Sequence, residues 1–137
     1  MAQSIDRESS PNALVRAYPW LAVLTGIVIL IQAFMAGRFL YGLSDLVEEH
    51  GLVGNLTFLL VILLIIGAWL GRQSGATTNV DLILSVVLLL LVAGQLGLGY
   101  SGSRSASALH IANGVLITGL TLALAGVGIG RRSASPS

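Results

Sequence analysis

The chain contains no cysteine among its 137 residues. That absence excludes disulfides, cysteine-held iron–sulfur clusters and thioether-attached haem. Charge is scarce too, at 9% of residues, against about a quarter in ordinary soluble domains. The net charge is +1 and no basic run occurs, so nucleic acid has nothing to recognise. Histidine occurs only as His50 and His110. With no cysteine, no third histidine and no carboxylate deep inside an apolar stretch, no hydrolase arrangement can be assembled.

Apolar sequence is what the chain has in quantity. It is 55% hydrophobic, with a mean hydropathy of +0.90. Four stretches, about Trp20–Tyr41, Leu46–Leu70, Val80–Tyr100 and Ala106–Gly130, approach or exceed the roughly twenty residues that cross a bilayer. The expected fold is all-α, a polytopic membrane four-helix bundle forming one unit over residues 18–130. Polar segments at 1–17 and 131–137 are expected to be disordered tails. The first apolar run is longer than a signal-peptide core, so it is read as a span and not as a cleavable leader.

Local signals mark the helix ends. Pro19 suits a first helical turn, and Tyr18 and Trp20 suit an interfacial aromatic belt. Ser44 and Asp45 are candidate caps for the second helix, with Glu48 spaced as in a capping box. Asp81 suits the positive end of the third helix. Arg7, Arg16, Arg72, Arg131 and Arg132 fall on one side of the expected topology, whereas Arg38 and Arg104 fall on the other beside Asp45, Glu48 and Glu49. The positive-inside rule then places both termini in the cytoplasm and both histidines toward the outer face of the plasma or inner membrane.

An internal repeat organises the chain. Gln32, Gly37 and Tyr41-Gly42 precede His50-x-x-x-Gly54, and Gln95, Gly99-Tyr100 and Gly102 precede His110-x-x-x-Gly114. The same spacing separates Asp45 from His50 and Ser105 from His110. One helical hairpin used twice in parallel topology explains the pattern and brings the two histidines to one depth. An ionisable residue inside a membrane segment marks a functional site.

Two imidazoles facing each other across a bundle core are what a six-coordinate haem requires. Gly54 and Gly114 lie one turn beyond each histidine on the same face, where a missing side chain lets a flat macrocycle approach the backbone. Gln32 and Gln95 are candidate hydrogen-bonding partners of the cofactor or of each other. Arg38 and Arg104 are candidate partners of haem propionates, or residues that snorkel to headgroups. The expected cofactor is one haem b per chain, with His50 and His110 as its metal ligands. Zinc is a rival, with Glu49 or Asp45 as further ligands. The structural alternative treats the histidines as interhelical hydrogen-bonding residues and the glycines as packing devices.

The segment Gln95-Leu-Gly-Leu-Gly-Tyr100 followed by Leu109-His110-Ile-Ala-Asn-Gly114 resembles one half of the haem A synthase fold. So does Gln32 with Ala36-Gly37, followed by Glu49-His50-Gly-Leu-Val-Gly54. That family is built of two four-helix bundles, with haem-ligating histidines on even-numbered helices near the outer face. The resemblance covers about Ile27 to Leu124 and implies that His50 and His110 are axial ligands. Val47 and Gly51 stand where the family carries a glutamate and an arginine, and the chain has one bundle. A haem b protein, not a haem A synthase, is the function implied.

Three function classes follow from these readings. The first is a cytochrome-b-like protein for electron transfer or haem handling, without independent catalysis. The second is a non-catalytic accessory subunit of a larger membrane complex, and the third a small transporter with a polar path through Gln32 and Gln95. The expected partners are the lipid bilayer, a membrane redox partner or larger complex, or a second copy in a homodimer.

Overall fold

A computed structural model describes residues 13–43 and 46–134. Four helices account for almost all of them: α1 (Ala13–Leu40), α2 (Val47–Gln73), α3 (Asn79–Tyr100) and α4 (Arg104–Ala134). Their lengths are 28, 27, 22 and 31 residues. At about 1.5 Å per residue, each is long enough to cross a hydrocarbon core of about 30 Å, and each is sufficiently apolar. The chain is thus an all-α four-helix bundle and a multi-pass membrane protein.

Each helix packs on two others: α1 on α2 and α4, and α3 on α2 and α4. The helices form a four-sided ring with α2 and α4 on one diagonal. Short connections make neighbours antiparallel, so α2 and α4 start at the same end. Gly42 and Gly102 occupy repeat-related turns and share a φ of 66°, a left-handed conformation that side chains disfavour.

The core is a column formed by Ala22, Ile29, Val61, Leu64, Leu88, Val92, Ile117 and Leu124, among others. Large apolar residues such as Leu30, Phe34, Leu59, Leu90 and Val115 face outward, as a lipid solvent permits. Lipid supplies no hydrophobic drive between helices, so close backbone approach matters instead. A Cβ on Gly128 would lie 2.9 Å from Pro19 Cβ, and one on Gly67 would lie 3.2 Å from the Tyr18 ring.

Several expected boundaries shift. Residues 13–17 and 131–134 are helical and do not belong to the tails; residues 1–12 and 135–137 lie outside the described residues. Pro19 is consequently inside α1 and not in a first turn, its ring seated against Gly128. Trp20 is exposed as an interfacial residue should be, but Tyr18 is only 2% exposed. The glycine at 67 admits its ring, and its hydroxyl lies 3.3 Å from Ser85 Oγ. Leu46 stands at the N-cap of α2 without a side-chain cap bond; Ser44 and Asp45 lie outside the described residues.

The capping box occurs at α3 instead. Thr78 Oγ1 accepts from Asp81 N at 3.4 Å, and the Asp81 carboxylate accepts from Thr78 N at 2.7 Å. Asp81 is also ion-paired with Arg131 of α4. Ser85 Oγ donates to Asp81 O at 2.8 Å, so Tyr18, Ser85, Asp81 and Arg131 join α1, α3 and α4 at one end of the bundle. The histidines lie at the other.

Candidate functional site

His50 lies in the first turn of α2, and His110 lies near the start of α4. Their helices are diagonal, yet their ring centres are 6.1 Å apart, with the planes tilted by 56°. Both side chains are half-buried. The duplication therefore brings its two histidines together across the middle of the ring, as the repeat predicts.

Each ring meets the backbone of the preceding helix. His50 Nδ1 is 3.2 Å from Gln32 O, and His110 Nδ1 is 3.0 Å from Gln95 O. A carbonyl oxygen can only accept, so Nδ1 carries the hydrogen in each case. In the neutral ring Nε2 then keeps its lone pair. The two glutamines thus act on the histidines first through main-chain oxygens, a role that their side chains did not suggest.

The glutamine side chains do separate work. Gln32 Nε2 donates to His50 O at 2.9 Å, which makes the α1–α2 contact reciprocal. Gln95 Oε1 accepts instead from Asn113 Nδ2 at 2.8 Å, and Asn113 Nδ2 also donates to Leu91 O at 2.8 Å. Asn113 is not among the residues that the repeat singles out. Its signal was there: a polar residue three positions after His110 shares that helix face.

The glycines lie where the repeat places them, and the glutamine amides fill the space beside them. A Cβ on Gly54 would come within 2.8 Å of Gln32 Nε2 and 3.1 Å of Leu96 Cδ2. One on Gly114 would lie 3.3 Å from Gln95 Nε2, and one on Gly99 3.1 Å from His110 Cε1. Arg38 and Arg104 belong to the histidine end of the bundle and are exposed. Arg38 donates weakly to Leu43 O at 3.5 Å, and Arg104 opens α4.

Haem and zinc ask different things of a donor set. A metal–nitrogen bond of about 2.0 Å, and a nitrogen about 1.1 Å from its ring centre, put imidazoles on opposite sides of one metal roughly 6.2 Å apart, centre to centre. The observed separation is 6.1 Å with the planes tilted by 56°, a distance that packed aromatic rings share. The carbonyl bonds at both Nδ1 atoms are the outer contacts that ligating histidines make. A zinc site needs at least three protein ligands, and no group of three His, Cys, Asp or Glu side chains occurs among the described residues. Asp45, a candidate third ligand, lies outside the described residues.

Comparison with protein-family models, curated proteins and solved structures finds no match to this chain. Its class rests on fold and geometry: an all-α, four-helix, multi-pass membrane protein with a histidine pair on the bundle diagonal.

Proposed function

We propose that the protein is a small cytochrome-b-like membrane protein that binds one haem b through His50 and His110 and serves electron transfer or haem handling. The observation that carries this reading is the pair of diagonal imidazoles 6.1 Å apart, each bonded through Nδ1 to a backbone carbonyl. Haem b, if held by His50 and His110, would supply one-electron exchange.

The remaining steps belong to the chain. The Gln32 and Gln95 carbonyls fix each ring's tautomer and aim, and such bonds make the opposite nitrogen a better ligand. Gly54 and Gly114, by lacking side chains, leave the room that the Gln32 and Gln95 amides occupy beside the histidines. Gln95 offers its NH2 to the cofactor's edge and Gln32 the amide hydrogen not given to His50 O, and Arg38 and Arg104 stand at the same end of the bundle for its carboxylates. The arginine distribution supports an orientation with both termini cytoplasmic and the site near the outer face of the membrane, which we take to be the inner or plasma membrane. The resemblance of the histidine hairpins to half of the haem A synthase fold supports the same reading.

The rival is a packing contact in an accessory subunit, since aromatic rings also pair at about 4.5–7 Å between centres. Absorption spectra of the purified protein separate the two. The haem reading expects a sharp Soret band that shifts on dithionite reduction, and no rapid carbon monoxide binding. His50→Ala and His110→Ala should behave alike, each giving a five-coordinate or empty site. A colourless wild type favours the accessory subunit. Rapid carbon monoxide binding by the wild type, or an unchanged low-spin spectrum in His50→Ala, would overturn bis-histidine ligation.

A further inference from the structure

Both rings dock on a glutamine carbonyl, but the two glutamine side chains have different partners, His50 O for Gln32 and Asn113 for Gln95. Leu91 O is a carbonyl that can only accept, so the end of the Asn113 amide facing it is the NH2 group. The same NH2 donates to Gln95 Oε1. That bond fixes the Gln95 amide end over end, because the captured end must be oxygen. Its own NH2 is turned the other way, with Nε2 3.3 Å from the Cβ position of Gly114, one turn beyond His110.

Asn113 therefore bridges successive turns of α3 at Leu91 and Gln95, and Gln95 O is the atom against which His110 Nδ1 docks. Three residues after the other histidine stands Val53, half-buried, which has no side-chain donor. There Gln32 commits an amide hydrogen to His50 O. Gln95 Nε2 makes no such bond to the backbone of His110 among the described residues.

We propose that Asn113 is a positioning residue. By bridging Leu91 and Gln95 it fixes the His110 ring and directs the Gln95 NH2 toward the histidine face, so the duplicated half-sites are chemically unequal. A bound group meets an oriented amide donor on the α3 side and an amide already engaged by His50 on the α1 side. The effect on a bound group rests on the haem reading; the effect on His110 does not.

The test uses the full chain in lipid nanodiscs, labelled with 15N at histidine, first without haem and then after addition of haem b. Asn113→Val copies the first half-site. The substitution removes both Asn113 bonds and leaves the His110–Gln95 contact less supported. If that contact weakens by the worth of one hydrogen bond, roughly a five- to tenfold change in equilibrium, the His110 Nδ1–H should exchange with water about five to ten times faster. Its 15N shifts should move while those of His50 stay. Asn113→Gln, which keeps the donor, should recover most of the wild-type signature and guards against loss through misfolding. In haem-loaded protein, Asn113→Val should release haem faster to a scavenging protein. Unchanged His110 signals in Asn113→Val, or equal changes at both histidines, would refute the role of Asn113. A wild type that takes up no haem, with the His110 response intact, would refute the haem reading and leave the positioning role standing.

Discussion

At the scale of single residues, the glycines beside the histidines give a graded prediction. A methyl group at Gly54 meets Gln32 Nε2 at 2.8 Å and Leu96 Cδ2 at 3.1 Å, whereas at Gly114 it meets Gln95 Nε2 at 3.3 Å. At Gly97 it meets nothing within 4 Å. Overpacking typically costs about 1–3 kcal/mol. Gly54→Ala should therefore destabilise more than Gly114→Ala, because Gln32 must give up its bond to His50 O to make room. Gly97→Ala should be neutral or gain up to about 1 kcal/mol from helix propensity. Thermal unfolding in nanodiscs ranks the three, and an order with Gly97→Ala worst would contradict the packing described. If haem b is the ligand, Gly54→Leu and Gly114→Leu should lower its occupancy while the protein still inserts. Haem occupancy equal to wild type in both would confine the glycines to helix packing. At this scale the sequence pointed to His50, His110, Gln32 and Gln95 through the repeat. It did not reveal that the glutamine carbonyls hold the rings, since backbone atoms leave no mark in residue identity.

At the scale of helices, the ion pair between Asp81 and Arg131 ties α3 to α4 at the end away from the histidines. Asp81 is 1% exposed and serves both as capping residue and as ion-pair partner. A lost cap costs about 1 kcal/mol, and an uncompensated partner adds to this, though the part-exposed Arg131 can turn to water. Asp81→Ala should destabilise by about 1–3 kcal/mol, whereas Arg72→Gln, on an exposed side chain, should change stability by about 0.5 kcal/mol or less. Asp81 and Gln95 are about 21 Å apart along α3 at 1.5 Å per residue, so Asp81→Ala should leave the His50 and His110 15N signals in place. Movement of both would reveal coupling through α3. Sequence placed Asp81 at a helix start, where a carboxylate is favoured. Its partner was hidden because Arg131 read as part of a polar tail, and only the continuation of α4 to Ala134 brings it opposite Asp81.

At the scale of the whole molecule, the bundle has two unlike ends. Arg16, Arg72, Arg131 and Arg132 lie at one, and Arg38 and Arg104 with Glu48 and Glu49 at the other. By the positive-inside rule, a reporter fused after Gly130 should read cytoplasmic, and one in the 101–103 turn should read external. The reverse result would move the histidine site to the inner face and change which partners can reach it.

The sequence by itself determined the class, the number of helices and the repeat, because spanning length, apolarity and recurring motifs are properties of the chain in one dimension. It also determined that His50 and His110 are equivalent, through matched positions in the two hairpins. Tertiary structure decided what those positions touch. The ring closed by α1 and α4 puts the even helices on a diagonal and the imidazoles 6.1 Å apart, a distance no spacing rule contains. It buried Tyr18 against Gly67 when its neighbours suggested an interface. It also made the two half-sites unequal, because Asn113 donates across the α3–α4 seam whereas Val53, at the matching position after His50 on α2, has no side-chain donor. Hydrogen bonds between helices depend on the rotation and depth of both partners, and those are set by packing the bundle as a whole.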